Sequence, residues 1–379
     1  MSDELTLYAV GDVGPERPDP ATLFTRVGGT LRGGDLAFCQ LEMNLTERGT
    51  RLPQVRHTAR AAPATAGSLR AAGFDVVSWA GNHCMDWGPE GFFDTIDALE
   101  GEDITVLGVG ANLAEARAPR VVERGGTRIA FLAACSILPA DYWATDRRPG
   151  CAPMRAHTVY EPTEPDQPGT PCRIITYPHR EDLAALTEGV ARAKELADVV
   201  VVSLHWGIHF VPAALADYQR DVAHAVIDAG ADLVLGHHAH ILKGVEVYRG
   251  KAIFYSLGNF AMDLPMTAEH AASKGFRELL KLHPGWEPDL GSTYNFPHDS
   301  RKTIAVRCRV SRDGVGEVAF LPAYIDRSSR PEFLTRSDPR FGEVVGYLRD
   351  VGEDQGLRTV FDPSGDAVIV RTDHPLEES

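Results

Sequence analysis

The sequence predicts one α/β domain with long loops inserted into it. Three observations carry that prediction. Short apolar runs rich in strand formers alternate with segments of helical periodicity. No shift in composition interrupts the N-terminal half. The ligand-type residues stand directly after the strand-like runs, and strand ends are where open α/β sheets place their sites.

Leu5–Val10 reads as the first strand and ends at Gly11-Asp12. Asp35–Gln40 is a second apolar run, ending just before Glu42. Ala64–Ala72 has helical spacing, with Gly73 as its stop. Asp75–Ala80 is a strand that runs into Gly81-Asn82-His83. Pro89 suits the first position of a helix whose apolar face is Phe92, Ile96 and Leu99. Thr105–Gly108 and Arg128–Ala133 are further strands, the second after a Gly125-Gly126 turn. Residues 141–180 hold Pro149, Pro153, Pro162, Pro165, Pro168, Pro171 and Pro178 with little periodicity, which predicts a long loop or cap.

Glu181–Ala197 is a helix by its Leu183, Leu186, Val190 and Leu196. It feeds the strand Asp198–Leu204, whose run of valines predicts burial on both faces. Ala216–Ala229 puts Tyr218, Val222 and Val226 on one helix face and ends at Gly230. Ala231–Leu235 then delivers Gly236-His237-His238-Ala239-His240. Val245–Tyr248 and Ala252–Ser256 form a hairpin, and Thr303–Val310 and Glu317–Leu321 form another. Between them, residues 261–300 are irregular and aromatic. A helix around Phe341–Leu348 and a peripheral strand close the chain. The expected organisation is a catalytic domain over 1–330, with insertions at about 141–180 and 261–300, and a C-terminal extension over 331–379.

The chain has 379 residues, 44% hydrophobic and 24% charged, an ordinary globular composition. Lys+Arg 38 against Asp+Glu 53 gives a net charge of -15, which argues against nucleic acid or an anionic membrane as the main partner. Basic residues do gather at Arg48, Arg51, Arg56 and Arg60, and at Arg147, Arg148 and Arg155. Both groups are read as solvated surface. The N-terminus has no basic segment followed by a long apolar one, and no stretch matches a membrane span, so a cytoplasmic location is expected. Six cysteines without a C-x-x-C pair read as reduced, mostly buried thiols, with Cys84 near the site because it follows His83.

Asp12, Glu42, Asn82, His205, His238 and His240 look like one metal site. Carboxylate, amide and imidazole together suit a first-row divalent ion with open positions. Each residue alone has a plainer reading: a turn residue for Asp12 and Asn82, a solvated carboxylate for Glu42, a core histidine for His205. Three imidazoles within four residues after a buried strand are hard to explain as packing.

The same stretches resemble the CapA-like family of poly-γ-glutamate or capsule biosynthesis proteins, related to the calcineurin-like metallophosphoesterases. The resemblance rests on Val10-Gly11-Asp12, Leu41-Glu42, Gly81-Asn82-His83-Cys84-Met85-Asp86-Trp87-Gly88, His205-Trp206-Gly207, Gly230-Ala231-Asp232 through His240, and Tyr255-Ser256-Leu257-Gly258-Asn259-Phe260, and covers roughly residues 5–260. It implies a four-layer αββα sandwich with the six residues above as ligands to one or two divalent ions (Mn, Zn, Fe or Ca). His83 is then a catalytic imidazole or one that supports the ligands, oriented by Asp86, and His237 is structural or supports the ligands. Two departures stand out. Gly14 lies where the phosphoesterases' Asp-x-His carries its histidine, and Glu42 replaces their bridging aspartate. This weakens one metal position and with it ordinary two-metal ester hydrolysis.

Soluble members of the family include epimerases of ribosomal peptides of the lasso type, and the resemblance implies that chemistry and a peptide partner here. Inversion at Cα needs a base on one face and an acid on the other. His83 is one candidate, His298 a second if the 261–300 segment folds over the site, and Asp12 a third. The aromatics Tyr142, Trp143, Tyr160, Trp286, Tyr294 and Phe296 could hold a peptide or anchor loops. A metal-dependent hydrolase of a phosphate ester or amide, and a non-catalytic peptide binder stapled by metal, are the other expectations.

Overall fold

The computed structural model describes residues 4–55, 59–283 and 285–372. Two sheets face each other. The ten-stranded sheet runs Phe361–Ser364, Ala367–Val370, Gly314–Ile325, Lys302–Ser311, Leu5–Gly14, Leu36–Leu41, Val76–Ser78, Thr105–Leu107, with Asn259–Met262 also on Leu5–Gly14 and Pro331–Phe333 on Gly314–Ile325. The six-stranded sheet runs Val245–Tyr248, Lys251–Phe254, Leu233–His237, Val199–His205, Thr127–Cys135, Arg120–Arg124. Parallel strands form one side of the ten-stranded sheet, Leu5–Gly14, Leu36–Leu41, Val76–Ser78 and Thr105–Leu107, and the middle of the six-stranded one, Thr127–Cys135, Val199–His205, Leu233–His237 and Lys251–Phe254.

Period-two alternation builds the layers. Ile129, Phe131, Val199, Val201, Leu233 and Leu235 join the core shared with the ten-stranded sheet. Their neighbours Ala130, Leu132, Val200, Val202 and Val234 pack instead with Leu186, Val190, Val222 and Val226 of the helices Arg180–Leu196 and Asp217–Asp228. That is why the valine run is buried on both faces. Phe38 and Phe131 stack between the sheets, centroids 6.0 Å apart and ring planes nearly parallel. On the ten-stranded sheet, helices Thr65–Ala72 and Gly88–Glu100 bury Leu69, Phe92 and Leu99, and Trp79 stacks on Phe92 at 5.1 Å. The result is the four-layer αββα sandwich. Helix Pro339–Asp354 buries Phe341, Val344 and Leu348 in the same core, and Ala367–Val370 pairs with Gly314–Ile325.

The inserted segments differ from expectation. Residues 141–180 are not irregular throughout, because Ala156–Pro162 and Cys172–Pro178 form an antiparallel hairpin. Both strands are largely exposed, so no buried face imprints an alternating pattern on them. Residues 261–300 contain helices Ala268–Ala271 and Lys274–Leu282 and two aromatic clusters, one of Met262, Tyr294, Phe296 and Ile325, the other of Met266, Phe276 and Trp286. The first arginine group is dispersed: Arg48 pairs with Asp94, Arg51 donates to the Val55 carbonyl, and Arg60 lies over Trp87 at 3.9 Å. Arg56 lies outside the described residues. All six cysteines are free, and only Cys172 is exposed. No described helix is long and apolar enough to cross a membrane.

The inter-sheet stack sets one expectation. Phe131→Ala should cost about 3–5 kcal/mol, and Val159→Ala on the exposed hairpin within about 0.5 kcal/mol, as read by urea denaturation. Equal costs would mean that the sheets do not depend on this contact.

Candidate metal centre

Five chain segments converge at the C-terminal ends of the parallel strands. Asp12 lies in Leu5–Gly14 where the register with both parallel neighbours shifts, a bulge that re-aims a side chain. Its amide donates to the Gly258 carbonyl at 3.0 Å. A Cβ on Gly11 would lie 1.9 Å from that same oxygen, so only glycine allows the approach. Glu42 follows Leu36–Leu41 and is fixed by its amide bond to the Val13 carbonyl at 2.9 Å. Asn82 follows Val76–Ser78, and His205 is the last residue of Val199–His205. His238 and His240 follow Leu233–His237 with φ of 86° and 56°. Left-handed backbone at a non-glycine residue costs roughly 1–3 kcal/mol and gathers at functional sites.

The donor atoms crowd one another. Asn82 Oδ1 lies 2.7 Å from His205 Nε2 and 3.1 Å from His238 Nδ1, and those two nitrogens are 3.2 Å apart. Glu42 Oε1 lies 3.5 Å from His205 Nε2 and 3.6 Å from His240 Nε2, and Asp12 Oδ2 lies 3.5 Å from His240 Nδ1. Ligands held about 2.0–2.2 Å from one ion stand roughly 3–3.5 Å apart, and these separations, from 2.7 to 3.6 Å, bracket that range. Two overlapping groups meet the geometry for an ion, Glu42 with His205 and His238, and Asp12 with Glu42 and His240. Glu42 belongs to both. Both its oxygens, and Asp12 Oδ1, are buried without a hydrogen-bond partner. Orphaned buried oxygens of this kind fit a cation.

Burial pushes the Glu42 carboxyl well above its usual range, and the negative charge of Asp12 adds to this. Burial would raise Asp12 too, but His237, His240 and His205 together hold it below the ordinary value. Burial pushes His205 and His238 well down, so both are neutral and ready to donate a lone pair.

The surrounding groups orient the ligands. His240 Nδ1 lies 2.7 Å from Asn259 Oδ1, and Asn259 Nδ2 donates to the Tyr294 hydroxyl at 2.8 Å. An amide oxygen can only accept, so His240 carries its proton on Nδ1 and Nε2 is left as the lone-pair donor. His237 turns away from the cluster mouth into the core, 3.4 Å from Asp12 Oδ1 and against Phe38. His83 stands beside the ligands and is bonded to Asp86 at 2.7 Å. His298 is exposed on the short 3-10 helix His298–Arg301. Its segment does come over the site, since Phe296 packs on His240 at 5.0 Å. Among the described residues, however, no hydrogen bond or ring contact joins His298 itself to the cluster.

Sequence reasoning assigned no role to two neighbours of the cluster. His209 lies against His238 in a tilted contact at 3.9 Å and stacks on His240 at 5.2 Å. It lies four residues after His205, and nothing in a single sequence marks it. Asn259 did carry a signal, a Gly-Asn pair after a strand, as in Gly81-Asn82. Of the loop aromatics, Tyr142, Trp286, Tyr294 and Phe296 are buried anchors, and Tyr160 is exposed.

Metal binding should release protons. The raised Glu42 carboxyl takes up a proton as pH falls, and that proton competes with a cation, so affinity should rise with pH across the acid-to-neutral range. Titration calorimetry of Mn2+ in buffers of different ionisation enthalpy checks this, and no buffer dependence would contradict it. Glu42→Gln should cut metal content, by elemental analysis, more than His240→Gln does, because it serves both groups.

The model of the bacterial capsule synthesis protein family PGA_cap matches residues 6–264. The PGA biosynthesis protein CapA of Bacillus subtilis is 33% identical over 52% of this chain and 44% of its own length. A Mycobacterium tuberculosis protein named "Probable polyglutamine synthesis accessory protein" is 32% identical over 78% of this chain and 73% of its own. The chain thus spans less than half of the Bacillus relative. Among solved structures, the calcineurin-like phosphoesterase YfkN of Bacillus subtilis aligns over 94% of this chain and 98% of its own at 12% identity and TM-score 0.38. The NAD nucleotidase of Haemophilus influenzae aligns over 92% and 63% at 13% identity and TM-score 0.43. On the family match and the relatives' identity, this chain belongs to the bacterial capsule synthesis protein PGA_cap family.

Proposed function

We propose that this protein is a metal-dependent enzyme that inverts a Cα centre in a peptide. The observation that carries the reading is a closed set of buried ligands with a separate imidazole beside it, His83, held by Asp86 and partly open to solvent. A divalent ion in the cluster would stabilise the oxyanion that develops on a carbonyl as its Cα proton leaves. Asp12, Glu42, Asn82, His205, His238 and His240 would hold it. His83 would move the proton on one face of the substrate. His298, on the segment that packs over His240 through Phe296, is the candidate for the other face. Asp12 is fully buried and tied to its histidine neighbours, which favours a ligand role for it over proton transfer.

Phosphate recognition finds less support. Arg155 is committed to Asp182 at 2.6 Å and Arg148 to Asp141, and Gly14 offers no imidazole. The relatives' names refer to PGA biosynthesis and polyglutamine synthesis. Polymers of amino acids present Cα–H bonds beside carbonyls, which suits the chemistry proposed. One observation favours a hydrolase as second reading: Glu42 is shared by two ligand groups, as in sites that clamp both oxygens of a displacement.

Linear peptides incubated with the protein and Mn2+ in D2O, followed by mass spectrometry, test the reading. A gain of one deuterium at a single residue, lost on chelation and with chain length unchanged, is the expected result. Chain cleavage or phosphate release would move the protein to the hydrolases. His83→Ala should lower the exchange rate by about 10²–10⁴-fold with metal content retained.

A further inference from the structure

We infer that Tyr142, supplied by the 141–180 insertion, is a positioning residue that fixes His83 through Asp86. The Tyr142 hydroxyl donates to Asp86 Oδ1 at 2.6 Å, and Asp86 Oδ2 lies 2.7 Å from His83 Nδ1. Tyr142 and Asp86 are each 1% exposed, while His83 keeps 20% of its side-chain surface open. The relay therefore runs from the core outward and ends at the one member that solvent can reach.

Proton counting fixes its direction. A carboxylate only accepts, and a phenol beside it donates. With Oδ1 taken by Tyr142, Oδ2 is left for His83 Nδ1–H. The imidazole is then held in the tautomer whose Nε2 carries the lone pair. Burial and the charge of Asp86 both raise the Tyr142 phenol, so it stays a donor throughout the working pH range. Without the phenol, Asp86 Oδ1 would be a buried carboxylate oxygen lacking its donor, and the carboxylate could rotate away from His83.

The insertion is built to hold this ring still. The Tyr142 carbonyl accepts from the Cys151 amide at 3.0 Å and from the Cys151 and Cys84 thiols at 3.4 and 3.9 Å. Cys84 adjoins His83 in sequence, so the same peptide unit is tied to both ends of the relay. A tyrosine chosen for packing alone would not need a hydroxyl aimed at the carboxylate that holds His83.

The inference rests on His83 as the proton-transfer group of the proposed reaction, and its test is separable from that reading. Tyr142→Phe keeps the ring and removes only the donor. Long-range 1H–15N spectra of the imidazoles, with His83→Ala assigning the signal, should show His83 as the Nδ1–H tautomer in the unaltered protein and as a tautomer mixture in Tyr142→Phe. Metal content should be unchanged. With a peptide that exchanges deuterium, kcat should fall about 10-fold or more with KM within twofold, and Asp86→Asn should fall further. An unchanged His83 signal in Tyr142→Phe would overturn the inference whether or not any peptide reacts. If the tautomer shifts but no peptide exchanges deuterium with the unaltered protein, positioning stands and the epimerase reading fails.

Discussion

Two carboxylates buried side by side set the terms for this structure. Asp12 and Glu42 bring like charges together where water cannot screen them, and four further donors crowd around them. An unpartnered buried polar atom costs roughly 1–3 kcal/mol, and the left-handed backbones at His238 and His240 add about as much each. The cluster is a net burden on folding unless a cation joins it. A cation that binds only the folded chain returns stability in proportion to its affinity. The long inter-sheet core is what lets the chain carry that burden. The bulge at Asp12, the glycine contact at Gly11 and the parallel strand ends are the local means of holding the ligands in place.

Much of the fold was legible because burial is periodic. The central strands Thr127–Cys135, Val199–His205 and Leu233–His237 alternate between two apolar partners, and in Val199–His205 that alternation reads as a continuous valine run. The convergence of the candidate ligands was legible for a related reason: polar residues at the end of a buried strand have nowhere else to go. His237 and His238 show how fine the distinction is. His237 is the last residue in strand register, paired with His205, and its ring joins Phe38 in the core. One residue later the backbone turns left-handed and His238 enters the cluster. The i, i+2 spacing of His238 and His240 marks that pair in the sequence, and the resemblance adds the supporting role of His237.

What stayed hidden depends on contacts between distant parts of the chain. Tyr142 reaches Asp86 across 56 residues, and Asn259 meets Tyr294 across 35. No local pattern encodes such pairs. The helix Lys274–Leu282 is a different case, since Ser273 caps it and Phe276 is its buried anchor. The signal was present but short, and irregular neighbours on both sides masked it. Its apolar side rests on Phe276, Trp286 and Met266 rather than on the main core, so the 264–296 segment carries a small core of its own.

Phe210 joins that small core to the candidate metal centre, packing near His240, Trp286 and Phe296. The loop bearing it is held by an unusual device. Lys243 is buried, its ammonium bonded to the carbonyls of Val211 and Ala214, and burial pushes its pKa down to about 8. Removing an ammonium from water is costly, and backbone carbonyls offset only part of that cost. Because the clamp grips carbonyls, it fixes the path of the loop without constraining its side chains. Ile208 and Val211 remain exposed beside the site and make no demand on the core. The ligand floor, set by strand ends and strain, tolerates little change. The loop above it is anchored by its backbone, so its side chains can vary at small cost to stability, and loops held in this way are where a shared scaffold changes what it binds.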